Sequence, residues 1–178
     1  MKKFSFITLI AAVLFSSLAC GLNDTKSSEP EADPEDFPAS LLTNFLDWTP
    51  VLANDVAFPS SGHSGQIVRV FFNETAKPYF TGEKALPFAP GSLVAKAVVQ
   101  SLETPAKDAT KVYFMLKKEP GFDSENNDWS YTSTLPADGA LAIDANSGKN
   151  PSCSGCHSAE KEFDYVRTID FYKKQSAS

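Results

Sequence analysis

The chain has 178 residues, which suits one domain with a sizeable core. Its formal net charge of −6 argues against nucleic acid, which needs a basic surface. Beyond the first twenty residues no apolar run is long enough to cross a bilayer, and fourteen Phe, two Trp and five Tyr would serve a flat aromatic cofactor or a dense β core equally well.

Residues 1–19 read as a signal peptide. Lys2 and Lys3 form the basic end, Phe4 to Phe15 is apolar apart from Ser5 and Thr8, and Ser16 to Ala19 is small or apolar. Losing Lys2 and Lys3 takes sixteen basic residues to fourteen against twenty-two acidic ones, a net charge of about −8. Cys20 directly follows the apolar segment. That placement resembles the lipobox of bacterial lipoproteins, in which the thiol takes a diacylglycerol and becomes the first mature residue. Ser17 stands where Leu is usual, and Leu18 comes one place late. Plain secretion with cleavage after Ala19 is the competing reading. Gly21 to Pro38 is acidic and Pro-containing with almost nothing to bury, so 20–38 reads as a lipidated Cys and a disordered tether. The expected location is a bacterial envelope, lipid-anchored and facing the periplasm or exterior, with a soluble periplasmic protein as the alternative. The folded domain then spans 39–178.

Within it, Leu41 to Trp48 is a short amphipathic stretch that reads as helix, and Thr49 to Ser64 reads as loop. Four β segments follow: Gln66–Phe72, Ser92–Ser101, Lys111–Leu116 and Trp129–Thr134. Between the first two, Asn73 reads as an N-cap with Glu74 in the first turn, opening a short helix near Tyr79. Turn residues link the strands at hairpin distances. The fold class is therefore α+β, a predominantly antiparallel sheet with a few short helices.

Cys153-Ser154-Gly155-Cys156-His157 carries the chemistry. Two thiols at C-x-x-C spacing can each add to a haem vinyl group, and the adjacent His reaches the iron from the same side. Structural zinc needs four ligands, and only Cys20 and His63 remain in the mature chain. A thioredoxin-like pair would want a βαβ context near the start of the domain, whereas this motif lies near its end. A plain disulfide is the third rival. Export favours haem c, which is attached outside the cytoplasm. Cys153 and Cys156 are thus the attachment residues and His157 the iron ligand. His63 and Met115 are the candidates for the sixth position. Met115 reads as core packing and His63, in a Ser-Gly-His-Ser-Gly loop, as solvent-facing or hydrogen-bonded. The default is five-coordinate iron with an open distal side.

These features occur in a particular order. His63, Val68 and Arg69 come first, then Asn73 and Ala76, then Phe88, Pro90, Gly91, Ser92 and Lys96. Met115 and Lys117 follow, then Gly121, Asp128-Trp129, the Cys153–His157 motif and Asp164-Tyr165-Val166. From Trp48 to Phe171 this order resembles the cytochrome P-460 family, which includes the cytochromes c′-beta. The resemblance implies an antiparallel β protein, generally dimeric, with one covalent haem c. It also implies that Lys96 bonds to a haem meso carbon and that Arg69 lies in the haem pocket.

The residues themselves single out Lys96 as the one polar side chain in Leu93–Val99. A lysine in a strand apolar on both faces must neutralise, pair or react, and desolvation favours the nucleophilic amine. Snorkelling or a haem propionate partner is the bland alternative. For Arg69 the alternative is a salt bridge to a propionate or carboxylate. The hydroxylamine-oxidising members carry a pocket carboxylate where Tyr113 aligns. An aromatic pocket would favour gas binding, with Phe71, Phe88 and Phe114 as candidate caps over the iron.

Two functions follow as expectations. One is oxidation of a small nitrogen compound such as hydroxylamine, with electrons passed to a redox partner cytochrome. The other is non-enzymatic binding or sensing of nitric oxide or a similar diatomic gas. A plain electron carrier is a weaker third and needs a sixth ligand. The expected assembly is a homodimer.

Overall fold

The computed structural model describes residues 37–144 and 147–176. The signal segment, Cys20 and nearly all of the tether lie outside the described residues. Among these residues seven strands form one sheet: β1 Thr49–Pro50, β2 Phe58–Pro59, β3 Ile67–Phe72, β4 Leu93–Val99, β5 Lys111–Lys117, β6 Trp129–Ala137 and β7 Ala140–Ile143. The order is β1-β3-β4-β5-β6-β7, with β2 also on β3, and every pairing is antiparallel. Among the described residues four α-helices accompany it: α1 Leu41–Asn44, α2 Lys77–Phe80, α3 Pro151–His157 and α4 Thr168–Ser176. The α+β expectation holds.

β3, β4 and β5 form where β-branched and aromatic residues are densest, because the centre of the sheet is buried on both faces. Register then assigns every side chain to a face. Val70 pairs with Lys96, and Lys96 with Tyr113. Side chains alternate, so Val68, Val70, Phe72, Val94, Lys96, Val98, Tyr113 and Met115 share one face. Arg69, Phe71, Ala95, Ala97, Val112 and Phe114 share the other.

The first face packs under α2, α4 and the Phe88 segment. Phe72 stacks on Phe80 at 4.1 Å, and Tyr172 of α4 meets both rings edge-on. The second face is covered by Phe37, Leu41 and Phe45, with Phe45 edge-on to Phe71 and Phe114.

Several expectations are corrected in detail. The first helix stops at Asn44 and tightens into a 3-10 turn, Phe45–Asp47, before Trp48 extends into β1. The presumed loop after it contributes β1 and β2, two-residue strands that pair with β3. Asn73 caps a turn before α2 rather than α2 itself: its Oδ1 accepts from the Ala76 and Leu93 amides, each at 3.0 Å. Its Nδ2 donates to the Gly91 carbonyl at 2.9 Å, tying the helix entry to the turn that starts β4. β6 runs on to Ala137 and returns through Asp138-Gly139, both at positive φ, into the unforeseen β7. No described helix is long and apolar enough to cross a membrane.

Candidate haem site

The Cys-x-x-Cys-His segment is helical, which its composition does not favour. Ser, Gly and two Cys are weak helix formers, and seven residues are too few to persist alone. A cap makes the helix. Asn150 Oδ1 accepts from the Ser152 and Cys153 amides, each at 3.1 Å, and Pro151 occupies the first turn, where no amide donor is needed. Helical spacing then sets Cys153 one turn from both Cys156 and His157, so all three address one side. Both cysteines are free thiols.

His157 is oriented from behind. Its Nδ1 lies 2.8 Å from the Tyr165 carbonyl oxygen, which can only accept, so Nδ1 carries the proton and donates. The Nε2 lone pair is left for a metal. Burial lowers the His157 pKa, and the Tyr165 contact opposes that shift.

Between α3 and the first sheet face lies a largely apolar cleft. Val70, Val94, Met115 and Val166 make its apolar wall; His63, Lys96, Tyr113 and Tyr131 bring polar atoms. Burial pushes the Lys96 pKa down, and nearby Arg167 pushes it further. Burial, then Lys96 and His157, lower His63 to about 4. Burial also raises the thiol of Cys153 and the phenol of Tyr131. The Tyr131 hydroxyl is buried with no hydrogen-bond partner among the described residues, although its ring lies 5.8 Å from that of His157.

This donor set fits haem c. The Cys153 thiol and the preoriented His157 imidazole line an apolar cleft, Cys156 lies exposed one helical turn from Cys153, and a buried hydroxyl awaits a partner. Among the described residues no three His, Cys, Asp or Glu gather to hold a metal ion.

The structure brings Lys96 and Tyr113 into the cleft beside Cys153 and His157, and corrects three other assignments. Arg69 does not line the cleft. It points to the opposite face, where it donates to the Thr104 and Leu102 carbonyls at 2.8 and 2.9 Å and pairs with Asp55 at 3.2 Å. The carboxylate salt bridge is therefore its role, because strand alternation sets it one residue off the Lys96 face. Phe71 and Phe114 turn their rings to that opposite face as well, and Phe88 packs on Tyr79, Phe80 and Trp129 away from the cleft. None of the three is a cap. His63 is not turned to solvent. It sits half-buried on Tyr113, ring centroids 4.6 Å apart, in a turn held by positive φ at both His63 and Ser64. Met115 is core, as expected, yet it also borders the cleft. The Tyr165 carbonyl was not foreseen, and no side-chain pattern could have flagged a backbone atom.

The family model of cytochrome P460 matches residues 43–168, more than two-thirds of the chain. No curated protein sequence matches significantly. That family binds haem c, with its iron, covalently, in agreement with the cleft and with α3. On its fold, its Cys153–His157 helix and the span of that match, the chain belongs to the cytochrome P460 family.

Proposed function

We propose that this chain is an exported mono-haem protein that oxidises a small nitrogen compound such as hydroxylamine at an open iron face. The observation that carries the reading is His63. Oxidising an N–H or O–H compound requires a proton acceptor beside the substrate, and no Asp or Glu is among the described residues lining the cleft. His63 supplies one. Its place in the cleft against Tyr113 carries the assignment; burial with Lys96 and His157 nearby lowers its pKa to about 4, so the imidazole is neutral at neutral pH but a weak base, able to take a proton only as oxidation makes the substrate acidic. Haem c, when bound, supplies the redox centre. Electrons would leave to a partner cytochrome. A homodimer and an acylated Cys20 holding the domain at a membrane belong to the same proposal.

The missing carboxylate also favours a second reading, in which the cleft binds nitric oxide without turnover. One experiment separates them: steady-state hydroxylamine oxidation with an artificial acceptor beside a nitric oxide titration, for wild type and His63→Ala. If His63 is the proton acceptor, turnover falls by about 10²-fold or more while nitric oxide affinity changes little. Absence of wild-type turnover, with tight nitric oxide binding, would favour the gas-binding reading. If His63 were instead the sixth iron ligand of an electron carrier, its loss would open the iron and strengthen gas binding.

A further inference from the structure

Behind His157, a buried carboxylate gathers donors from three separate segments. Asp164 is 2 % exposed. Its Oδ1 accepts from Asn127 Nδ2 at 2.6 Å, Lys117 Nζ at 3.0 Å and Trp129 Nε1 at 3.2 Å. Its Oδ2 accepts from the Phe88 amide at 2.7 Å and Lys117 Nζ at 2.9 Å. The Trp129 indole also donates to the Asp164 carbonyl at 2.9 Å. Lys117 is buried too, and its Nζ donates to the Asn127 carbonyl at 2.6 Å.

So many donors exceed what a core ion pair needs. Stability alone does not explain them, because a buried pair often does no better than well-packed apolar residues. The backbone at this point suggests their use. Asp164 and Tyr165 are consecutive non-glycine residues at positive φ, +51° and +67°. Asp tolerates that region, but Tyr does so only when its surroundings force it. The turn made by these two residues directs the Tyr165 carbonyl at His157 Nδ1.

We propose that Asp164 is a positioning residue for the proximal histidine. Its carboxylate, fixed by Lys117, Asn127, Trp129 and the Phe88 amide, holds the strained Asp164-Tyr165 turn. The turn holds the Tyr165 carbonyl on His157, and that hydrogen bond orients the ring and raises the donor strength of Nε2 toward iron. The inference rests on haem c being the cofactor, but not on which small molecule reacts there.

The test uses the full, haem-loaded protein without substrate. Asp164→Asn keeps the volume and one acceptor oxygen but loses the charge and a second acceptor. The iron–histidine stretching band of the ferrous protein should move to lower frequency, and the reduction potential should rise. Asn127→Ala removes one donor from a half-buried site and leaves the Lys117–Asp164 pair in place, so it is the milder variant and should give a smaller shift in the same direction. A carboxylate that only stabilises the fold predicts a lower unfolding midpoint with band and potential unchanged. Wild-type band and potential in Asn127→Ala, and in Asp164→Asn where it folds, would overturn the assignment. Because substrate is absent, that outcome leaves the proposed nitrogen chemistry untouched.

Discussion

Replacing Lys96 with alanine is expected to return the absorption spectrum of the haem-loaded protein to that of an ordinary c-type cytochrome without releasing the haem. Lys96 projects from the centre of β4 into the cleft, paired in register with Val70 and Tyr113. Burial, reinforced by Arg167, lowers its pKa, so a larger fraction of the amine is unprotonated and nucleophilic than in water. A bond from Nζ to a haem meso carbon, as the family resemblance implies, would alter the macrocycle and displace the spectrum strongly. Digestion of the wild type should then yield a branched peptide joining the Lys96 segment to the Cys153–His157 segment through one haem. A free Lys96 peptide with a normal spectrum would make Lys96 a propionate partner and strengthen the gas-binding reading.

The largest loss of stability is expected from Trp129→Ala. Trp129 is fully buried, edge-on to Phe88 at 5.6 Å, with Lys117 Nζ 5.1 Å from its ring and both indole hydrogen bonds on Asp164. Emptying such a site costs about 3–5 kcal/mol, a large share of the ~5–15 kcal/mol that holds a typical domain together. At a slope of ~2 kcal/mol per M, urea unfolding of the haem-loaded protein should shift its midpoint down by about 2 M. Trp129→Phe keeps most of the packing and loses only the hydrogen bonds, so it should cost about 1–3 kcal/mol. Equal midpoints for wild type and Trp129→Ala would show that this core does not depend on the indole.

How much of this was readable from sequence depended on the kind of signal. The haem motif was legible because its chemistry depends on three residue types at a fixed local spacing. β3, β4 and β5 were legible because central strands must be apolar. The error over Arg69 arose between those levels. Alternation within β3 was clear, since Arg69 shares a face with Ile67 and Phe71. Which face met Lys96 depended on the Val70–Lys96 register, a long-range fact that no local pattern carries. The same missing register made Phe71 and Phe114 look like caps. α3 was invisible because a cap and tertiary packing, rather than propensity, create it. His63 read as a solvent loop because Ser and Gly surround it, yet the 3-10 turn folds that loop back over Tyr113. The Asp164 cluster spans residues 88 to 164, so its members become one site only after folding.

The central claim is one haem joined to this chain through Cys153 and Cys156. Its most direct test is the intact mass of the protein purified after export from a host that matures c-type cytochromes, measured under denaturing conditions beside Cys153→Ala/Cys156→Ala. The wild type should carry the mass of one haem that survives denaturation, and the double variant should not carry it through thioether links. Acyl chains on Cys20 would add a separate increment to both and leave the comparison intact. A correctly exported wild-type chain with no haem increment would contradict the account.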